Sequence, residues 1–289
     1  MRLFQLICLM LLTAIPAARA QQPLKVVASF SILGDFVRNV GGERVRVTTL
    51  VGPDGDAHVY TPAPADAKKI ADAKVVVING LGMEGWLPRL VQSSGSKAVI
   101  AAATAGIALL KINRNADPHA WQSVLNAKIY VANIRDALSA ADPAGAEAYR
   151  ANADRYLANL DALDREVRGA IAQIPKDRRK VISTHDAFGY FAAAYGIEFV
   201  APLGVSTESE ASARDIARII TQIRAQKIPA VFLENISDPR LIRRISAETG
   251  ARIGGTLYSD SLTGEKGDAP TYIDMVRHNI KALTGALSQ

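Results

Sequence analysis

The sequence predicts an α/β protein of two lobes, each with a mostly parallel sheet flanked by helices, joined by one long rigid helix. Short apolar runs of strand length alternate with helical patterns in both halves of the chain, as is typical of parallel sheets. The stretch 143–175 carries a continuous stripe of apolar residues that recur every three or four positions. The chain has 289 residues, 49% of them apolar and 21% charged, which suffices for about two globular domains.

The N-terminal lobe, residues 21–142, is predicted to alternate strands with helices. A strand at 24–28 leads into a helix at 32–40, which Gly41 and Gly42 end. The other strands expected in this lobe are 45–50, 75–78 and 98–101, and the other helices are 66–73 and 86–92.

Residues 143–175 are predicted to form the linking helix, because Pro143 suits its first turn and Pro175 ends it. About 32 residues rising about 1.5 Å each would make a rod of about 48 Å, long enough to join two lobes and to limit their hinging. The C-terminal lobe, residues 176–289, repeats the alternation. Its expected strands are 180–183, 198–201, 230–233 and 252–257, and its expected helices are 188–195, 211–226, 239–249 and 272–283.

Residues 1–20 are predicted to be a signal peptide that is removed. Arg2 is followed by an apolar stretch shorter than the about 20 residues of a membrane-spanning helix, and Ala18-Arg19-Ala20 has the small-residue pattern of a cleavage site. The only cysteine of the chain, Cys8, lies inside this segment rather than at its end, so we expect a soluble periplasmic protein. A mature chain without thiols excludes cysteine catalysis and thiolate metal ligation.

Four polar residues are predicted to lie where loops leave the two sheets. His58 and His185 follow strands of different lobes, His119 lies in a loop of the first lobe, and Asp260 follows the last strand. Ligands of open α/β sheets bind at the carboxyl ends of the strands, so these side chains could converge between the lobes. Three imidazoles and one carboxylate would form a closed four-coordinate site suited to Zn²⁺. The alternative is that the histidines are solvated loop residues, since their spacing matches no local zinc motif.

Several neighbouring residues have two interpretations each. Asp54, Asp56 and Asp117 lie beside two of these histidines and would either attract a cation or cap loops and helices. Glu234 ends a predicted buried strand and would either support a ligating histidine or cap a loop. The fourth histidine, His278, lies within a predicted helix with no strand end beside it, so we expect it to be a surface residue.

Five segments, in order along nearly the whole mature chain, carry a resemblance to a known family. They are GPDGDAHVYTPAPAD at 52–66, INGLGMEGWL at 78–87, DPHAW at 117–121, STHDAFGYFAAAYGIE at 183–198 and YSDSL at 258–262. In these segments the chain resembles the zinc/manganese group (cluster A-I) of periplasmic solute-binding proteins that serve metal ABC transporters. The resemblance implies two α/β lobes joined by a rigid helix, with one metal at the lobe interface. It implies as ligands His58, His119, His185 and Asp260.

The resemblance also bears on the identity of the metal. In this family the third ligand is often glutamate in manganese binders and histidine in zinc binders, and here it is His185. Nitrogen ligands favour zinc over manganese. No histidine lies between His58 and His119, so the chain lacks the histidine-rich loop of many zinc-specific relatives. We therefore expect a zinc-binding branch without that loop.

The resulting expectation is a periplasmic zinc-binding protein that captures Zn²⁺ between its lobes and delivers it to an ABC importer, and that is not an enzyme. Its expected partner is an inner-membrane ABC permease, with a periplasmic metallochaperone as a further candidate. We expect a monomer, and no nucleic-acid partner, because the net charge of +6 is scattered along the chain. The alternatives are the same fold carrying manganese or iron, a zinc-dependent hydrolase, and an exported metal-binding adhesin. A hydrolase would need an open position on the zinc, which Asp260 would close.

Overall fold

The computed structural model describes residues 22–112 and 115–288. The predicted signal peptide, with Cys8, lies outside these residues. Within them, no helix is both long enough and apolar enough to cross a membrane.

The N-terminal lobe is built on a four-stranded parallel sheet in the order β2-β1-β3-β4. Its strands are β1 Leu24–Phe30, β2 Val45–Val51, β3 Val75–Ile78 and β4 Val99–Ala102, and its flanking helices are α1 Ser31–Gly41, α2 Pro64–Asp72 and α3 Leu87–Ser94. The two central strands, β1 and β3, contain apolar runs that are buried along their length, as expected for strands covered on both faces. A short antiparallel hairpin of β5 Lys111–Ile112 and β6 Asn115–Ala116 follows, which the sequence patterns did not predict.

Two long helices, α4 Val124–Ala141 and α5 Ala146–Ala172, complete the frame. The sequence patterns did not delimit α4, because alanines and the exposed Leu125 blur its apolar stripe. The linking helix α5 was predicted too long at both ends: residues 143–145 form a 3-10 turn and the helix ends at Ala172, so α5 has 27 residues and spans about 40 Å. Its buried face is the predicted one, formed by Tyr149, Ala153, Tyr156, Leu160, Leu163, Val167 and Ile171.

The C-terminal lobe repeats the plan with a second four-stranded parallel sheet in the order β10-β9-β7-β8. Its strands are β7 Lys180–Ile182, β8 Glu198–Val200, β9 Ala230–Glu234 and β10 Arg252–Leu257, and its helices are α6 Gly189–Tyr195, α7 Ala213–Gln226, α8 Arg240–Thr249 and α9 Tyr272–Leu287. The predicted fold class is thus confirmed, and these elements lie within a few residues of their predicted bounds. The division of the chain at residues 142 and 175 stays a prediction.

An aromatic cluster ties the two lobes to the linking helix. Phe36 of α1 packs against Tyr130 of α4, Tyr156 of α5 and Tyr272 of α9, with ring centroids 4.8–6.3 Å apart. Beside this cluster the carboxylate of Asp35 accepts the Tyr272 backbone N–H at 3.1 Å, at the first turn of α9. Helices of both lobes therefore pack directly against one another behind the cleft, which restrains movement between the lobes.

Candidate metal centre

The loops at the cleft between the lobes bring the four predicted ligand residues together. His58 follows β2, His119 precedes α4, His185 follows β7 and Asp260 follows β10. One potential ligand atom from each residue lies within 4.8 Å of each of the others. The Asp260 Oδ2 atom is 3.2 Å from the Nε2 atoms of both His58 and His185 and 3.7 Å from that of His119. Ligands about 2.0 Å from a tetrahedral ion lie about 3.3 Å apart, so this spacing suits one metal ion.

Several polar atoms of this cluster are buried without a hydrogen bond among the described residues. They are the Nε2 atom of His185 and both carboxylate oxygens of Asp260. His119, His185 and Asp260 are fully buried, and the His58 side chain is 5% exposed. Leaving buried polar groups unpaired costs free energy, and a cation at the centre of the cluster would satisfy the Nε2 atom of His185 and the Oδ2 atom of Asp260 together.

The charged groups of the cluster shift one another's pKa values. Burial lowers the pKa of His119 and His185, but nearby carboxylates outweigh it. Asp260 and Asp117 raise the pKa of His119, and Glu234 and Asp260 hold that of His185 well above its usual value. Burial also raises the pKa of Asp260, but the two imidazoles bring it well below the usual value. The centre thus strongly favours a negative Asp260 and positive charge facing it, as a metal-binding site requires.

Two ligand candidates are oriented by a second carboxylate on the nitrogen turned away from the cluster. The Nδ1 atom of His119 lies 2.8 Å from an oxygen of Asp117, which also accepts the His119 backbone N–H at 3.0 Å. The Nδ1 atom of His185 contacts Glu234, whose other oxygen accepts the backbone N–H groups of Thr184 and His185 at 2.7 and 3.0 Å. A carboxylate on Nδ1 leaves the lone pair of Nε2 directed at the cluster. The contacts of Glu234 are those of its first interpretation, support of a ligating histidine. Asp117 caps the backbone of the His119 loop, as in its second interpretation, and also contacts the His119 ring, which neither of its two interpretations included.

The loops that carry His119 and Asp260 are also cross-linked between the lobes. Trp121 Nε1 and Gln122 Nε2 donate to the carbonyl of Ser259, at 2.9 and 2.7 Å. The Ser259 hydroxyl in turn donates to Glu234 at 3.1 Å. The residue before Asp260 is therefore held from the N-terminal lobe and from the carboxylate that orients His185.

Sequence reasoning missed two buried polar residues behind the His119 loop, Asn79 and Glu84. The side-chain amide of Asn79 donates to the carbonyl of Pro118 at 2.9 Å, and its oxygen accepts from the hydroxyl of Tyr130. Glu84 accepts from Ser29 Oγ at 2.6 Å and from the backbone N–H of Asn79 at 2.7 Å, and burial raises its pKa. The signal that could have found them is a lone amide and a lone carboxylate in the otherwise apolar segment INGLGMEGWL.

A cavity of about 900 Å³ between the lobes reaches the cluster from solvent. His58 is the member of the cluster that lines it, together with Pro118, Asp186 and Leu203 among others.

His278 is outside the cluster: its Nε2 atom lies 3.0 Å from the Thr256 carbonyl, and its ring packs edge-on against Tyr258.

Comparison with known proteins identifies relatives along nearly the whole chain. The family described as ZnuA, zinc-uptake complex component A, periplasmic, matches residues 26–286. The manganese-binding lipoprotein MntA of Halalkalibacterium halodurans is 38% identical over 267 residues, which cover 92% of this chain and 89% of the relative. The iron-binding protein YfeA of Yersinia pestis is 36% identical over 270 residues, which cover 92% of this chain and 86% of the relative.

The fold is shared with a solved relative. The structure of the periplasmic zinc-binding protein TroA from Treponema pallidum superposes with a TM-score of 0.89 at 30% identity, covering 93% of this chain and all of that one. Matches of this extent agree with the two-lobed architecture and with the long helix behind the cleft. The chain therefore belongs to the family of zinc-uptake complex component A, the metal-binding components of ABC metal importers.

Proposed function

We propose that this protein captures Zn²⁺ in the periplasm with His58, His119, His185 and Asp260 and delivers it to an inner-membrane ABC permease. The observation that carries the proposal is the convergence of three imidazole nitrogens and one carboxylate, from both lobes, on one point. Asp117 and Glu234 complete the site by fixing two of the imidazoles. The free energy of ligation offsets the loss of the ion's hydration shell when such a site is already organised.

Zinc is the metal that this donor set supports best. Nitrogen-rich ligation suits zinc better than manganese, and zinc outranks manganese and iron in affinity at a given site of this type. Relatives of this chain are named for manganese, iron and zinc, so the family alone does not select the metal.

One observation favours manganese or iron as the second candidate. Both oxygens of Asp260 are free of hydrogen bonds within the described residues, so the carboxylate could bind an ion through both. A bidentate Asp260 would add a fifth ligand, and oxygen ligands suit manganese.

Metal analysis tests the proposal and separates these candidates. Protein purified without chelator should contain one zinc per chain, and Zn²⁺ should displace Mn²⁺ in a competition titration. A preference for Mn²⁺ or Fe²⁺ would move the assignment to the second candidate, and the absence of any tightly bound metal would overturn the proposal.

Cleavage of the signal peptide and the partners belong to the same proposal. Mass spectrometry of the exported protein should give a chain that begins at Gln21. A mass with added acyl chains would instead indicate a lipoprotein, as the relative MntA is named.

We propose that the protein works as a monomer, with the permease as its acceptor and a metallochaperone as a second donor or acceptor of the ion.

A further inference from the structure

Asp56 links His58 to the opposite lobe. One oxygen of the Asp56 carboxylate accepts the backbone N–H of His58 at 2.8 Å, and the other accepts the hydroxyl of Thr207 at 2.5 Å. Thr207 belongs to the loop between β8 and α7, residues 201–212, in the C-terminal lobe. A single carboxylate thus joins a ligand candidate of one lobe to a loop of the other.

The same loop also contacts the segment that carries His185. The Leu203 N–H donates to the Thr184 carbonyl at 3.3 Å, and the Asp186 N–H donates to the Gly204 carbonyl at 3.1 Å. Within five residues, 203–207, the loop therefore bonds the segment of His185 and the carboxylate that holds His58. We call residues 203–207 the strap.

The strap lies between two cavities at the most accessible side of the cluster. The cavity of about 900 Å³ is lined by His58 and by residues 203–206, and a second cavity of about 570 Å³ is lined by Asp56, Leu203 and Thr207. The other three members of the cluster are fully buried. An ion that leaves the cluster into the larger cavity passes His58, so the hold on this residue bears on the rate of exchange.

We propose that Thr207 is a positioning residue for His58: through Asp56, its hydroxyl holds this ligand in place across the lobe boundary and so slows release of the bound metal. The inference rests on the proposed function and adds to it a residue that controls exchange. A hydrogen bond to a charged group is among the stronger ones in proteins, so the loss of this one should loosen the hold on His58 measurably.

Stopped-flow transfer of Zn²⁺ from the loaded full-length mature protein to an excess of a chromogenic chelator measures the rate of release. Thr207→Val removes the hydroxyl at nearly constant volume and should speed release about tenfold, the factor that about 1.4 kcal/mol corresponds to. Thr207→Ser keeps the hydroxyl and should release zinc at the parent rate. Thr221→Val in α7 is the matched control, because the Thr221 hydroxyl bonds within its own helix, to the Ala217 carbonyl at 2.9 Å, and this variant should also keep the parent rate.

A double substitution tests the route through Asp56. In an Asp56→Ala background, Thr207→Val should add no further acceleration, because the partner of the hydroxyl is already gone. The metal-free Thr207→Val protein also lacks this bond, so its melting temperature should fall by about a few degrees, and it should still unfold in one cooperative transition.

The outcomes are distinct. Equal release rates for the parent and Thr207→Val, equal acceleration by Thr207→Val and Thr207→Ser, or additive acceleration with Asp56→Ala would each overturn the role of Thr207 and leave the metal site intact. If the parent protein binds no metal, the proposed function fails, and this inference fails with it.

Discussion

Buried carboxylates determine the chemistry of the cluster at the scale of single residues. Asp117 and Glu234 each hold the outward nitrogen of an imidazole, and Asp260 faces the inward nitrogens. A carboxylate on the outward nitrogen fixes the orientation of the ring and raises the basicity of its inward nitrogen as a ligand. Under the proposed function, Asp117 and Glu234 would contribute to the affinity for the ion without touching it.

Glu234→Gln should weaken Zn²⁺ binding by about 10–100-fold, the usual cost of losing an outer partner of a ligating histidine. Glutamine has one carbonyl oxygen that accepts and one amide group that donates. It cannot accept the backbone N–H groups of Thr184 and His185 with one atom and the Nδ1–H of His185 with the other, as the two oxygens of Glu234 do. Chelator competition measures the affinity. Glu198→Gln is the matched control, because Glu198 is exposed and pairs with Lys180, and this variant should keep the parent affinity for Zn²⁺. A parent-like affinity of Glu234→Gln would show that the Glu234 carboxylate does not support the site.

His119→Ala should weaken Zn²⁺ binding by more than about 100-fold, beyond the loss expected for an outer partner. The reason is that His119 lies with its Nε2 atom 3.1 Å from that of His58, inside the cluster. His278→Ala should leave the affinity at the parent value, because His278 bonds the Thr256 carbonyl outside the cluster. Similar losses for both variants would contradict the assignment of the ligands.

At the scale of elements, α5 determines the frame and α2 supports the loop that carries His58. The buried face of α5 meets helices of both lobes, while its outer face carries Gly169, where an added Cβ would have no atom of another element within 4 Å. Asp66 in the first turn of α2 binds Tyr60 and the backbone N–H of Ala63, which follow His58 in the chain. In both helices, the direction in which a substitution changes the free energy of unfolding follows from the contacts of the substituted residue.

Gly169→Ala should raise the free energy of unfolding by about 0.5–1 kcal/mol, because alanine loses less backbone freedom than glycine in a helix and here meets no neighbour. Urea denaturation of the metal-free protein measures it. The same substitution at Gly189 should destabilise, since the new carbon would lie 2.7 Å from a buried oxygen of Asp117. A gain at both positions would argue against the close packing of α6 on the His119 loop.

Asp66→Asn should destabilise the protein by about 1 kcal/mol at neutral pH, because it weakens the charge-assisted bonds that Asp66 accepts from Tyr60, Lys69 and the Ala63 N–H. Burial raises the pKa of Asp66, but Lys69, Tyr60 and the Ala63 N–H together bring it below the usual value. Because the folded-state pKa is lowered, the stabilisation is present at neutral pH and disappears as the pH falls through that pKa. Denaturation curves of parent and variant should therefore converge below about pH 4, near the ordinary pKa of aspartate. A difference that persists in acid would indicate a purely steric effect.

At the scale of the whole molecule, the metal would bridge two lobes that already pack on a shared helix. Three of the proposed ligands, His58, His185 and Asp260, lie in loops at the carboxyl ends of two separate parallel sheets, and His119 lies in the loop before α4. The aromatic cluster around Phe36 restrains the lobes behind the cleft. Binding then stabilises the native chain over the unfolded one, in which the four ligands are far apart.

Zn²⁺ should raise the melting temperature strongly at pH 7.5 and little at pH 5. Stabilisation grows as RT ln(1 + [L]/Kd), which is about 4 kcal/mol at a thousandfold excess over Kd. Because the pKa values of His119 and His185 are raised, protons begin to compete with the metal at a higher pH than they would at free imidazole. The raised pKa values also mean that protonation of these histidines stabilises the metal-free fold, and this stabilisation is lost as the pH rises through the two pKa values. Both effects make the zinc-induced rise in melting temperature smaller in acid.

Melting curves with zinc and with chelator, at both pH values, check this prediction. His278→Ala should show the same pair of shifts as the parent. A zinc-induced shift that is equal at pH 7.5 and pH 5 would contradict a histidine-rich centre.

The amino-acid sequence was enough to predict the two-lobed α/β class, the strand ends that carry His58, His185 and Asp260, and the buried stripe of α5. These follow from local periodicity and from the rule that parallel sheets present their carboxyl ends on one edge, which need no knowledge of distant contacts. The resemblance supplied the ligand set as a prediction, and zinc as its metal stays a proposal.

The hydrogen bonds that hold these residues became known from the three-dimensional arrangement of the chain. Glu234 meets His185 across 49 positions of the chain, Asn79 meets Pro118 across 39, and Asp56 meets Thr207 across 151. No periodic pattern pairs such residues, because a hydrogen bond between loops depends on where two sheets and their connecting helix place those loops. The extent of α4 and the start of α5 were set in the same way, since burial against neighbouring helices rather than local propensity fixes where a helix ends.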